Sequence, residues 1–404
     1  MQTELAAEFK QNRQAEKAQD ILRACVHCGF CAAACPTYQL TGDELDSPRG
    51  RIYLIKQMLE RGVVSELTQT HLDRCLTCGA CEPACPSGVR YRNLLEIGRS
   101  MVETKVPRSW RDRLARLFMI KVASDAKRFA AAVRLGRAVS WMLPGRIRRR
   151  LPPATLKKEW PQANHPRKML ALQGCVQPMV APQTNAAAAR VLDRLGITLT
   201  EVMEAGCCGA ISHHLAASDQ ARQQARRNID ACWPEIEAGA EAIVMTASGC
   251  GLMVKEYAGL LQDDPAYAGK AARVSAMTKD LVEVLAAEDL NAFADVGQGM
   301  RIAFQCPCTM QHGQGLDGVV EGVLRRCGYV MTHVPDSQQC CGSAGTYSIL
   351  QPEMAERLLE QKLAAVMSGQ PQLIASANIG CQLHLATRTQ LPIKHWIELL
   401  DGNI

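Results

Sequence analysis

The stretch "CVHCGFCAAACP", residues 25–36, carries four cysteines in the pattern C-x2-C-x2-C-x3-C-P, and "CLTCGACEPACP", residues 75–86, repeats the pattern. The chain holds 19 cysteines in 404 residues. Its first twenty residues, "MQTELAAEFKQNRQAEKAQD", are polar and mixed in charge, with no apolar run of the kind a signal peptide needs, and no stretch of eighteen apolar residues follows. A cytoplasmic location is therefore expected, and there thiols stay reduced, so these cysteines read as metal ligands or redox groups rather than a disulfide framework. Cys232 and Cys327 stand alone in helix-like stretches and read as small buried hydrophobes.

The repeated run is the bacterial ferredoxin signature for [4Fe–4S] clusters. Three thiolates spaced by two residues wrap a loop around one face of a cuboidal core, and the fourth points away to serve the other cluster. The expected sets are Cys25, Cys28, Cys31 and Cys85 for one cluster, and Cys75, Cys78, Cys81 and Cys35 for the second. Four-cysteine zinc sites also use C-x2-C pairs, but they need only two pairs, so the triple spacing favours iron–sulfur. The runs are joined by 39 residues that include "SPRGRIYLIKQMLERG". Ser47 can cap a helix, Pro48 suits its first turn, and Ile52, Ile55 and Leu59 recur at helical spacing. Further helices are expected through "ELTQTHLDRC" and "YRNLLEIGRSMVE". Residues 1–104 thus read as an α-helical ferredoxin domain with two cluster sites.

Residues 105–168 hold eighteen Lys or Arg against three acids, a net +15 within a chain of net +6. Such asymmetry implies a partner. Interleaved apolar residues, among them Trp110, Leu114, Leu117, Phe118, Leu135 and Trp141, indicate amphipathic helices before the "LPPATL" break. A basic amphipathic helix fits an anionic membrane surface, an acidic partner subunit or a solvated face, and the sequence leaves the three open. Aromatic content of 4% and the lack of a reading motif argue against nucleic acid.

From residue 169 the pattern turns α/β and repeats. "MLALQG" and "AIVMTAS" read as buried strands with "AAAARVLDRLG" and "QQARRNIDACWPEIEAG" as helices; "RIAFQC" and "LIASAN" follow with "GVVEGVLRRCG" and "MAERLLEQKLAAVMSG". Cys175, Cys207-Cys208-Gly209 and Cys250 match Cys306, Cys340-Cys341-Gly342 and Cys381 at offsets of 131 to 133 residues. The fold class is therefore multidomain: an α-helical ferredoxin domain followed by a duplicated α/β cysteine-rich (CCG) domain, with repeats at 169–290 and 291–404. Vicinal thiolates can contact two irons of one cluster or form an easily reduced disulfide, and the glycine lets the backbone turn closely. Cys175, Cys207, Cys208 and Cys250 are candidate ligands of one site, and Cys306, Cys340, Cys341 and Cys381 of another. Cys308, in "CPC", is an extra candidate. These sets leave room for one or two clusters beyond the two [4Fe–4S] centres.

Two ferredoxin runs followed by two CCG repeats resemble the iron–sulfur subunits of membrane-associated dehydrogenases, and most closely the glycolate oxidase iron–sulfur subunits. The stretches that carry the resemblance are "RACVHCGFCAAACPTYQLTGDELDSPRGRIYLIKQ", "HLDRCLTCGACEPACPSGVRY", "EAGCCGA", "TASGCG", "VPDSQQCCGSAGTY" and "ANIGCQLHLA". The resemblance implies an electron-transfer subunit that works with separate flavin-bearing glycolate oxidase subunits. These would oxidise glycolate to glyoxylate, and electrons would pass towards the quinone pool at the inner face of the cytoplasmic membrane, where the subunit would sit peripherally. Equivalent relays serving another 2-hydroxyacid or anaerobic glycerol-3-phosphate dehydrogenase are the alternatives, as is a heterodisulfide-reductase-like thiol–disulfide enzyme. Against the last, the paired thiols expected three residues beyond Cys250 and Cys381 are replaced by Met253 and His384. No flavin, NAD or independent catalytic site is expected on the chain. Its one G-x-G-x-x-G match, Gly313 to Gly318, lies too far past a strand for dinucleotide binding and reads as a loop.

Overall fold

The computed structural model describes residues 1–142 and 159–402. The "LPPATL" break and the arginine run at 146–150 lie outside the described residues.

The N-terminal part is helical. Helices Arg13–Ala24, Pro48–Arg61, Glu66–Asp73 and Tyr91–Lys105 pack around a core that includes Leu22, Ile55, Leu59, Leu72, Leu94 and Leu95. The helix starts follow the capping chemistry in the sequence. Ser47 Oγ accepts from the Gly50 N–H at 3.0 Å with Pro48 in the first turn, and Ser65 Oγ accepts from the Thr68 N–H at 3.2 Å. Each cysteine run begins where a helix stops: Cys25 is the C-cap of Arg13–Ala24, and Cys75 follows the C-cap residue of Glu66–Asp73.

The basic segment continues as helix Trp110–Phe118, a π turn at Met119–Ala123 and helix Ala126–Ala138. Arg108 pairs with Asp73 at 2.6 Å, Glu103 at 2.6 Å and Asp112 at 3.0 Å, and Arg116 reaches Asp73 and Asp112 at 3.2 and 3.0 Å. With Arg108 and Arg116 turned inward and Arg111, Arg113, Lys121, Lys127 and Arg134 exposed, Leu114, Leu117, Phe118 and Leu135 face out beside them, and Trp110 and Trp141 are 69% and 77% exposed.

The rest forms two four-stranded parallel sheets among the described residues. The first contains β1 (Arg167–Leu172), β2 (Ile197–Val202), β3 (Ala242–Met245) and β4 (Thr278–Asp280) in the order β2-β1-β3-β4. The second contains β5 (Arg301–Gln305), β6 (Val330–Met331), β7 (Leu373–Ser376) and β8 (Ile393–His395) in the matching order β6-β5-β7-β8. Strands such as "AIVM" and "LIAS" are buried throughout, as parallel strands covered by helices on both faces must be. In each sheet the connections change side between the first and third strands of the repeat, and the crevice beyond the carboxyl ends at such a switch point is where α/β folds place their ligands.

The two repeats share one core, in which Met169, Val191, Ile197 and Val282 of the first join Ile302, Phe304, Val323 and Trp396 of the second. The closing helix Trp396–Leu400 lies on helix Pro182–Arg194 of the first repeat, where Thr184 Oγ1 donates to Glu398 at 2.6 Å and Arg190 pairs with Asp401 at 2.6 Å. Beside this core, His395 Nε2–H donates to the Thr246 carbonyl at 2.7 Å while its Nδ1 accepts from the Ile397 N–H at 3.2 Å. Burial pushes the His395 pKa down to about 4, so the ring is neutral and this pair of bonds fixes its tautomer.

Candidate iron–sulfur sites and the cavity between them

The ferredoxin loops share one backbone solution. His27 and Gly29 have φ of 57° and 88°, and Thr77 and Gly79 at the matching positions have 55° and 78°. Alternating handedness of this kind turns successive N–H groups towards one centre, as a cluster made anionic by its four thiolates requires. The N–H of Thr77 points at Cys75 Sγ at 3.5 Å. Cys25 and Cys85 are the nearest charge neighbours of Cys31, and Cys78, Cys75 and Cys35 are those of Cys81. The fourth cysteine of each run thus lies with the other run's three, as the spacing indicates. Burial first, then mutual repulsion, pushes the Cys31 thiol up to about 11 and those of Cys78 and Cys81 well above their ordinary value. Four sulfurs gathered in each set match a cationic iron–sulfide core that would take the thiolates' charge.

The two sets differ in surroundings. Around the first, Cys28 is exposed, as are Val26 and Phe30 beside it. Behind the second lies a fully buried cation: Arg51 donates from Nε to the His71 carbonyl at 2.7 Å and from Nη1 to Thr37 Oγ1 at 3.1 Å, with Cys35 Sγ 3.9 Å from Nη1. Burial alone would lower the Arg51 pKa, but Cys75, Tyr91, Cys35 and Asp46 outweigh it and hold the guanidinium charged. Asp46 is also buried, receives Arg51 at 3.4 Å and Arg74 at 3.2 Å, and bonds His71 Nδ1 at 2.8 Å. Tyr91 donates its hydroxyl to Cys75 Sγ at 3.6 Å.

In the first repeat the structure gathers all four expected thiols. Cys207 neighbours Cys175 and Cys208, and Cys208 neighbours Cys250, all as free thiols; Cys250 sits in the first turn of helix Ser248–Lys255 after β3. In the second repeat it gathers Cys340, Cys341 and Cys381, but their fourth member is Cys308, whose Sγ lies 3.9 Å from Cys340 Sγ. The expectation for Cys306 is corrected. It follows β5 directly and is 3% exposed within the core shared by the repeats, so its side chain is packing rather than part of this set. Cys308 stands three residues past β5, as Cys175 stands three past β1, and this is the true match between the repeats. Gly342, after the vicinal pair, has φ of 83°, and a Cβ there would approach the Ala355 carbonyl to 2.7 Å, so only glycine permits this turn. Asn378 Nδ2 donates to Cys381 Sγ at 3.6 Å while its Oδ1 accepts from the Gly249 N–H at 3.3 Å, tying one repeat's thiols to the other's backbone. Met253 belongs to the first repeat's core, and His384 Nε2 faces the Ala355 carbonyl at 3.4 Å.

Contacts between the parts bring the sets together. Leu40, Leu76 and Cys78 of the ferredoxin loops pack with Cys308, Cys340, Tyr347 and Leu358. Tyr347 donates to the Arg74 carbonyl at 3.1 Å and Arg357 to the Leu40 carbonyl at 2.9 Å. On the other flank His213 pairs with Glu96 at 2.9 Å and Arg92 with Glu256 at 3.2 Å. Between ferredoxin, basic helices and both repeats opens a cavity of about 660 Å³, bordered by Cys75, Cys175, Cys250, Cys308, Cys381 and Phe129 among others. The sequence does not reveal this cavity, because its walls run from Asp73 to Thr387 and no local pattern marks them.

Comparison with known proteins agrees with this construction. The family model of a 4Fe-4S dicluster domain matches residues 21–89, and that of a cysteine-rich domain matches residues 169–255 and 302–386. The chain is 54% identical over 402 residues to the glycolate oxidase iron–sulfur subunit of Escherichia coli (strain K12), covering 99% of this chain and 98% of that one. It is 30% identical over 392 residues to a probable glycolate oxidase iron–sulfur subunit of Bacillus subtilis (strain 168), covering 89% and 87%. A more distant relative, lactate utilization protein A of Bacillus velezensis, is 28% identical over 238 residues, 56% of this chain and 96% of that protein. With two crossed cysteine runs, two CCG sheets and similarity along almost its whole length, the chain belongs to the family of glycolate oxidase iron–sulfur subunits.

Proposed function

We propose that this chain is the electron relay of a glycolate-oxidising complex, receiving electrons from flavin-bearing partner subunits and passing them towards quinone at a membrane. The observation that carries the reading is the succession of thiol sets from exposed Cys28 through half-buried Cys78, packed against Cys308, to the cavity. We assign Cys25, Cys28, Cys31 and Cys85 to one [4Fe–4S] cluster and Cys75, Cys78, Cys81 and Cys35 to the second. Cys175, Cys207, Cys208 and Cys250, and Cys308, Cys340, Cys341 and Cys381, are the ligand sets of the two repeats. Bound clusters supply reversible one-electron steps. The residues of the chain hold their thiolates at fixed spacing, leave Cys28 the most exposed of them, and keep the Arg51 cation against the second set.

No helix among the described residues is long and apolar enough to cross a membrane. The outward Trp110, Leu114, Phe118 and Trp141, flanked by Arg111, Arg113, Lys121, Lys127 and Arg134, fit peripheral docking on an anionic surface, which supports a location at the cytoplasmic face of the inner membrane. Iron and acid-labile sulfide on anaerobically purified protein test the relay. About sixteen irons per chain is the expected result, about eight would leave the repeats without clusters, and zinc without iron would refute it. Flotation with anionic vesicles tests the docking: binding lost in Trp110→Ser/Trp141→Ser supports it, and equal flotation of the variant rejects it.

A further inference from the structure

We propose that the cavity between the two repeats, the ferredoxin loops and the basic helices is where a lipid-soluble quinone binds and is reduced. This inference rests on the relay reading above and adds to it the place where the relay ends. The cavity of roughly 660 Å³ is bordered by all eight thiols of the two repeats, whose clusters would fill part of it, and the quinone would take the space beside them. It extends well beyond the sulfurs. Met119 and Phe129 of the basic segment and Ile349 of the second repeat give it apolar walls on elements that carry no thiol, and they suit the flat ring of a quinone.

Its position fits an electron exit. The first ferredoxin set borders a separate, small recess with Cys28 open to solvent, whereas Cys75 of the second set and the thiols of both repeats border the large cavity. Electrons arriving at the exposed end therefore converge on the cavity from the interior. Met119 and Phe129 also belong to the segment whose other face presents Trp110 and Phe118 outward, so a ligand leaving a bilayer meets the cavity beside the proposed docking surface. The wall carries the acid–base groups the reaction needs: Glu96, His214 and Glu256 lie together on the ferredoxin side, and His214 Nδ1 has no hydrogen-bond partner. The balance is closed by the partner's reaction. Glycolate yields glyoxylate, two electrons and two protons; quinone takes two electrons through the thiol-held centres and two protons from water by way of these groups, and leaves as hydroquinone.

The test uses the full-length, cluster-loaded chain and the fluorescent quinone analogue 2-heptyl-4-hydroxyquinoline N-oxide. Quenching is expected to show one saturable site per chain. Ala123→Trp and Ile349→Trp place bulk in walls drawn from the basic segment and the second repeat, the latter at a position already 54% exposed and so tolerant of size. Each is expected to weaken binding about tenfold or more, with iron content and the reduced EPR spectrum as the control for folding. Absence of saturable binding in the wild-type chain, or equal affinity in both tryptophan variants, overturns the cavity assignment. The two readings separate in the assembled complex. If glycolate does not reduce quinone at all, the relay to quinone fails and this inference with it. If it does, and both variants match the wild-type rate, only the cavity is wrong.

Discussion

The two ferredoxin thiol sets have the same spacing and the same loop dihedrals, yet opposite settings. The set around Cys28 borders solvent, and the nearby Arg49 is held by Glu44 at 2.7 Å. The set around Cys78 is closed in by the second repeat and backed by Arg51, Asp46 and Tyr91. Identical ligand chemistry thus yields one centre suited to exchange with an outside partner and one suited to hold an electron on its way inward, because hydrogen bonds, nearby charge and solvent exposure set the potential of a given cluster.

The comparison breaks most severely by removing a ligand. Cys28→Ala and Cys78→Ala are each expected to lower iron by about four per chain and to abolish quinone reduction by the assembled complex while dye reduction by the flavin subunits persists. Unimpaired quinone reduction in either would end the relay reading. Next comes Arg51→Met, which strips the buried cation from the second set and leaves Asp46 with His71 and the half-buried Arg74. Loss of one partner from a buried pair costs about 3–5 kcal/mol. An EPR-monitored redox titration is expected to show the second cluster falling by on the order of 60 mV, the one-electron equivalent of about 1.4 kcal/mol, with the first cluster unmoved. Arg51→Lys keeps the charge and should recover most of the potential, which separates electrostatics from unfolding.

A smaller effect concerns the ion pair that fastens the ferredoxin domain to the first repeat. Burial disfavours charge on both members, but Glu96 outweighs it at His213 and lifts that pKa above 6.5, while His213 outweighs it at Glu96 and holds that carboxyl below 4.5. The histidine's contribution is complete below 6.5 and disappears as pH rises through the lifted value; the carboxylate's is complete above 4.5 and disappears as pH falls through the depressed one. Denaturation against pH should therefore show His213→Gln less stable by about 1 kcal/mol near neutrality, with the gap closing under alkaline conditions. A gap that persists there would mean the contact is not ionic. Smallest is Tyr91→Phe, which removes one donor to Cys75 for about 1 kcal/mol and lowers only the second cluster's potential.

Much of this was legible in the sequence where the signal is local. The cysteine spacing placed Cys35 with Cys75 and Cys85 with Cys25, Ser47-Pro48 marked a helix start, and the CCG offsets gave the duplication. Cys306 was chosen over Cys308 because both lie in "QCPC" and only the end of β5 shows which one is three residues beyond the strand. β2 and the short strands β4, β6 and β8 carry too weak a pattern of their own and form by pairing with neighbours already in place. The basic helices were recognised, but not that Arg108 and Arg116 turn inward, because Asp73, the residue that draws them in, lies on a different helix. The packing of Cys78 against Cys308 and the cavity itself depend on contacts hundreds of residues apart, which composition and periodicity do not encode.

The closure of helix Trp396–Leu400 over Pro182–Arg194 has a consequence for how the protein is made. Trp396 fills a core begun by Met169 and Val191, and Thr184 and Arg190 find Glu398 and Asp401 only at the end of the chain. The ferredoxin domain has its own helices and core early in the chain. The first repeat buries part of its apolar surface by itself, but the face around Met169 and Val191 is covered only when the second repeat and Trp396 have been made. A chain shortened before Trp396 would therefore leave that face open to water.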